Sequence, residues 1–339
     1  MKFEGNRYPR LLSSALLAAA LAVVMAVVPF DSRAQKTEAT LAGILAPDHL
    51  ITRSYQQFAD RVRDKTKGAL SIRVVPAGQM GGIKETVETT LAGNLEFTQV
   101  NNAALGNYYS RTMLFDLPFI FRDNDHMKKV VRGEIGTGIY AKFEEQTGMK
   151  ILMAGMPDGP RSVWNSVRPV NRPQDMKGMK LRVMESPIMI STFESLGAIP
   201  TPMPFPEVYM AAKQRVIDGA ETPPAGLLAM KAPEVAKYYS LTKHFALPAA
   251  LGVNLKWFQK QPQQYQTAIL EAANEARAWY DAAYDADEKV ALETAIKQGM
   301  QVNDVANMAD FRAAVKKVYD DYRDRVGGEA MIKVVIDTK

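Results

Sequence analysis

Arg182 is the residue whose type and setting point most directly to chemistry. Residues 180–184 alternate Lys, Leu, Arg, Val and Met, so in an extended strand Arg182 leaves the opposite face from Leu181 and Val183. In an α/β fold, an arginine near the carboxyl end of a strand sits where such folds hold their ligands. A planar guanidinium can grip a carboxylate through two parallel hydrogen bonds, which sets orientation as well as affinity. A solvated arginine on an edge strand fits the same pattern equally well. Residues 201–206 (TPMPFP) make a proline-set connection into a helix. It either presents Phe205 and the first helical turn to a ligand or is an ordinary loop.

Catalytic constellations are sparse. His49, His126 and His244 lie far apart with no metal-ligand spacing, and surface or structural roles are expected of them. There is no G-x-S-x-G elbow, Walker A loop or H-E-x-x-H pair. Residues 136–141 (GTGIYA) fit G-x-G-x-x-A, but a dinucleotide fingerprint must follow a strand, and this one follows a charged, helix-like segment. With no cysteine, thiol nucleophiles are impossible. The expectation is a binding protein without a cofactor, not an enzyme.

The elements that must position these groups alternate. Residues 41–45, 70–75, 95–100, 149–153 and 180–184 read as strands. Residues 55–67, 83–92, 123–131, 135–146, 187–196 and 206–214 read as helices, with a turn-rich stretch at 156–161. This order argues for α/β lobes with parallel sheets. Residues 262–299 hold no internal proline or glycine, are rich in Ala, Glu, Gln and Lys, and end at a glycine suited to a helix stop. As one helix this stretch would be roughly 55 Å long, longer than one lobe; a kinked helix or two helices fit as well.

The amino terminus reads as an export signal. Lys2, Arg7 and Arg10 precede an uncharged Leu/Ala/Val-rich run over 11–28, and Ser32 and Ala34 supply small side chains for cleavage after Ala34. An uncleaved anchor is the rival, since about 18 apolar residues is near the lower limit for a span. Removing residues 1–34 takes four basic and two acidic side chains, so the formal charge of +5 becomes +3 over the remaining 305 residues. That mild, scattered excess argues against nucleic acid as a partner. A chain of this length needs no disulfides to bury a core, so the lack of cysteine is compatible with an oxidising compartment.

Five landmarks in order then carry a resemblance. They are residues 76–82 (PAGQMGG), 117–119 (LPF), 177–183 (KGMKLRV), 197–209 (GAIPTPMPFPEVY) and 216–219 (VIDG). Over nearly the whole mature chain the sequence resembles the extracytoplasmic solute-binding proteins of tripartite ATP-independent periplasmic (TRAP) transporters. The resemblance implies a type II-like periplasmic binding protein: two α/β lobes about a ligand cleft, bridged by a long helix. It maps lobe I to 36–157 plus 248–287 and lobe II to 158–247 plus 288–339. Arg182 falls on the family's carboxylate-pairing arginine, Arg161 near a second arginine, and Phe205 on an aromatic position lining the site. Asn101 and Asn102 follow the strand 95–100, where amides could bond hydroxyls or a second carboxylate. Trp164 is either an aromatic wall or a core residue. Where the family usually has an asparagine after the D-G and the glutamate, this chain has Thr222, which offers one short hydroxyl in place of an amide. The implied function is capture of a small organic acid (a dicarboxylate, keto acid or sugar acid) by cleft closure, and its delivery by a monomer to TRAP membrane subunits. The alternatives are the binding component of an ATP-driven importer, a periplasmic hydrolase, or the sensor domain of an anchored receptor.

Overall fold

Among the described residues there are nine strands: β1 (Thr37–Ala42), β2 (Leu70–Val75), β3 (Phe97–Asn101), β4 (Met149–Asn165), β5 (Lys180–Val183), β6 (Ile199–Pro202), β7 (Gly219–Thr222), β8 (Tyr238–Asn254) and β9 (Gln301–Asp304). They form one sheet in the order β2-β1-β3-β8-β4-β7-β5-β6, with β9 added beside β8. The computed structural model describes residues 1–2 and 36–339. The signal and its cleavage point therefore lie, beyond the first two residues, outside the described residues. No helix among the described residues is long and apolar enough to cross a membrane.

The expectation of α/β lobes with parallel sheets holds in part. β1 pairs in parallel with β2 and β3, and β5 with β6 and β7, but these parallel blocks are joined by antiparallel pairing of β3 with β8, β8 with β4, and β4 with β7. β4 and β8 are 17 residues each and pair from Met149 opposite Asn254 to Asn165 opposite Tyr238. One end of the pair therefore serves β3 and the other serves β7. The supposed turn at 156–161 is part of β4. Pro157 stays in register opposite Pro248, whereas Gly159 and Pro160 fall in a register shift between Asp158 and Arg161, with another between Arg161 and Val163, because proline cannot donate to the ladder. A Cβ on Gly159 would lie 2.7 Å from the Cα of Ala246, so only glycine lets β8 approach there. The helix expected at 206–214 divides into a 3-10 turn, Phe205–Glu207, and the helix Val208–Lys213.

The long segment is a single helix, Gln263–Lys297. At 1.5 Å per residue its 35 residues span about 52 Å, close to the roughly 56 Å of a 17-residue strand. It runs far enough to join two cores. Ile269, Ala276 and Tyr280 pack with Tyr55, Phe58 and Phe97 in one, while Ala295 packs with Trp164 and Leu227 in another. A third core gathers Phe115, Phe143, Leu181, Phe193 and Phe311. The helix Leu50–Lys65 buries Tyr55, Phe58, Ala59 and Val62 at helical spacing and starts where His49 Nδ1 accepts the amide of Ile51 at 3.2 Å.

Candidate functional site

A cavity opens where β4, β5 and β7 meet the end of β3, the 3-10 turn at Phe205 and one face of the long helix. Its volume is about 90 Å³, well above the roughly 10–15 Å³ needed to hold a single water. Arg182 enters from β5, whose flanking strands leave it only 3% exposed. Its Nε donates to the Met203 carbonyl at 2.9 Å. No hydrogen bond or ion pair among the described residues engages Nη1 or Nη2. Burial is the main cause that lowers its pKa, to about 10, with Arg161 pushing the same way and Glu221 opposing. It is charged at neutral pH, and its fork is free.

Arg161 also reaches the cavity, but protein groups hold its guanidinium. Nε and Nη2 donate to the two carboxylate oxygens of Glu221 at 2.6 and 2.9 Å, Nη2 also to the Glu221 carbonyl at 3.0 Å, and Nη1 to Asp158 at 2.8 Å. Burial alone would raise the Glu221 carboxyl, yet Arg161 and His244 outweigh it and hold the group down at about 2. His244 Nε2 is 3.7 Å from Glu221, too long for a hydrogen bond, and burial keeps this imidazole below its usual range. Asp158 is raised by burial, against the pull of Arg161.

The other expected residues divide. Phe205 and Thr222 line the cavity, and so does Asn101, whose Oδ1 accepts the Ala104 amide at 3.2 Å. Thr222 Oγ1 fits over Gly226, where a Cβ would come within 1.7 Å of it. Asn102 and Trp164 do not line the cavity. Asn102 turns into the core, donating to the Thr112 carbonyl at 2.7 Å and accepting from Tyr140 at 3.2 Å. The chain leaves β3 for a helical turn between the two asparagines, so the neighbours part company. Trp164 is fully buried beside Leu227 and Tyr239. Sequence reasoning missed Asp158, Glu221 and the stripe Tyr280, Tyr284, Glu288. The stripe's four-residue spacing was a readable signal, because it places two tyrosines and a carboxyl on one helix face.

Comparison with known proteins bears on this site. The family described as bacterial extracellular solute-binding protein, family 7, matches residues 41–325. The chain belongs to this family. As a family 7 member it is 30% identical over 282 residues to the 2,3-diketo-L-gulonate-binding periplasmic protein of Escherichia coli, covering 83% of this chain and 85% of that one. Two solved TRAP periplasmic solute-binding proteins are similar throughout. One, from Roseobacter denitrificans with bound β-D-glucuronate, has a TM-score of 0.86 at 30% identity, covering 89% of this chain and 100% of that one. The other, from Polaromonas with D-erythronate, has a TM-score of 0.86 at 29% identity, covering 89% and 99%. This family 7 chain is a TRAP-type solute-binding protein, not an enzyme, and its family is extracytoplasmic.

Proposed function

We propose that the chain captures a small organic acid in this cavity, with Arg182 gripping the carboxylate, and hands it to TRAP membrane subunits. The buried guanidinium of Arg182, with both Nη groups free beside the cavity, is the observation that carries the reading. Relatives named for 2,3-diketo-L-gulonate, C4-dicarboxylates, glucuronate and erythronate support an acid as the solute. Arg161 acts as a positioning residue: it fixes Glu221 and Asp158 and keeps one Nη1 hydrogen for the ligand. Phe205 covers the ligand, while Asn101 and Thr222 bond its polar groups.

The lobes are 36–157 plus 248–287 and 158–247 plus 288–339. A ligand touching both favours closure, because its contacts are complete only in the closed state. The long helix and the β4–β8 pair are the elements through which the lobes are joined. Residues 1–34 direct export and are removed after Ala34, and the mature protein acts as a monomer in the periplasm with no cofactor and no nucleic acid.

The test is calorimetry with D-glucuronate, D-erythronate and succinate against wild type, Arg182→Ala and Arg182→Lys. Truncating one partner of a buried, hydrogen-bonded charge pair costs about 2–5 kcal/mol, roughly thirtyfold to several thousandfold in affinity. Arg182→Lys restores only part of this, since an ammonium cannot make the bidentate fork. Wild-type affinity in both variants would remove Arg182 from the site.

A further inference from the structure

The cavity has two chemically different ends. Charges felt at Arg182 come from Glu221, Arg161 and Glu185, whereas those felt at Glu288 come from Asp158, Asp287 and Arg161. Arg161 is common to both and is already matched by Glu221 and Asp158. The far end is thus walled by two carboxyl groups, Asp158 and Glu288, with no unmatched arginine among the described residues beside them. Two other basic side chains line the cavity: Lys84, which is exposed, and His49, whose imidazole burial holds below its usual range against the pull of Asp158.

This wall is built rather than incidental. Tyr280 donates to the Pro157 carbonyl at 2.7 Å, and Tyr284 both donates to the Gly159 carbonyl at 2.6 Å and accepts the Gly159 amide at 3.1 Å. The two tyrosines pin the backbone on either side of Asp158, and one turn further along the same face the helix supplies Glu288. Each carboxyl group has one oxygen engaged, Asp158 Oδ2 by Arg161 at 2.8 Å and Glu288 Oε2 by the Ala225 amide at 3.2 Å. No hydrogen bond among the described residues engages the second oxygen of either group. Burial holds the Glu288 carboxyl up at about 8, so at neutral pH it carries a proton and can both donate and accept.

Building on the reading of Arg182 as the carboxylate anchor, we infer that Asp158 and Glu288 bind ligand hydroxyls and turn away a second carboxylate, making the solute a polyhydroxy monocarboxylic acid. A hydroxyl offers a donor and an acceptor, which matches a carboxylate beside a carboxylic acid. A second carboxylate there would face the Asp158 charge in a cavity where no free cation answers it.

The experiment is titration calorimetry on the full mature protein with two matched pairs of open-chain acids, D-gluconate against D-glucarate and D-erythronate against meso-tartrate. Within each pair the diacid carries one carboxylate more. The expected result is that each monoacid that binds does so a hundredfold or more tighter than its diacid. A diacid binding as tightly as its monoacid overturns the inference and leaves the organic-acid reading standing. Binding of none of these acids, nor of succinate, overturns both. In Asp158→Asn the gap narrows at least tenfold, chiefly through gain of the diacid; an unchanged gap takes the discrimination away from this wall. Should that variant fail to fold, Glu288→Leu is read with the same pair. It is expected to lose tenfold or more in monoacid affinity, and unchanged affinity overturns the assignment of hydroxyl binding to Glu288.

Discussion

Replacing Glu221 by glutamine tests the buried network around which the cavity is built. Glu221 is fully buried and Arg161 is 4% exposed, so neither can fall back on water. Glutamine is nearly isosteric, yet it places an NH₂ donor against Arg161 and leaves that guanidinium with one carboxylate, Asp158, as its remaining counter-charge. Two routes give the size. Breaking a buried ion pair by neutralising one partner typically costs about 3–5 kcal/mol. Independently, a carboxyl ordinarily near 4.5 and held at about 2 in the fold represents roughly 3 kcal/mol, at about 1.4 kcal/mol per tenfold. The sign is that of a depressed acid: the stabilisation is fully present above the unfolded-state value near 4.5 and is lost as pH falls through about 2. Urea unfolding of wild type and Glu221→Gln at pH 7 should therefore differ by about 3 kcal/mol, converging as the pH is lowered toward 2. Replacing Arg161 and Glu221 by methionine together with Asp158→Asn should recover much of the loss, since this removes all three charges of the network at once. A Glu221→Gln protein within about 0.5 kcal/mol of wild type at pH 7, the scatter of an ordinary surface substitution, would refute this account of the network.

Three further predictions concern other parts of the chain. Asp116 is fully buried with neither oxygen hydrogen-bonded, and burial lifts it to about 8, with Asn102 pulling slightly the other way. Between its unfolded value near 3.8 and about 8, unfolding releases a proton, so stability falls as pH rises through that window. Asp116→Asn should gain stability relative to wild type between pH 5 and 8.5, measured by urea midpoints, and parallel pH profiles would contradict this. A Cβ on Gly219 would lie 2.0 Å from the Trp164 carbonyl, across the β4–β7 pair. Gly219→Ala should therefore cost about 3 kcal/mol or more, and unchanged thermal unfolding would show that the strands part more easily than this packing implies. Intact mass of the periplasmic protein should start at Gln35, and a mass retaining residues 1–34 would instead identify an anchored form.

Much of the site's outline was legible in the chain itself. The alternation at 180–184 set Arg182 apart from Leu181 and Val183, because a strand sends successive side chains to opposite faces. The uninterrupted helix-forming composition of 262–299 marked the stretch as helical, and the structure resolved the open choice between one helix and two as the single helix Gln263–Lys297. Local pattern sufficed for the alternation and for the helical character because dihedral preference and side-chain period act over a few residues. The same logic failed at 156–161, where Pro157, Gly159 and Pro160 read locally as turn and only pairing with β8 makes them strand. It could not separate Asn101 from Asn102, since which neighbour meets the cavity depends on where β3 gives way to a helical turn. Nor could it tell that Arg161 is committed to Glu221, 60 residues away, while Arg182 keeps its fork free. Asp158 and Glu288 became a wall only when a helix more than a hundred residues further on pinned the one and supplied the other. Sequence determines which groups a chain owns and which way each local segment turns them. The tertiary structure decides which of those groups lose water and which partner each then meets, and those two facts set charge, reach and availability at the site.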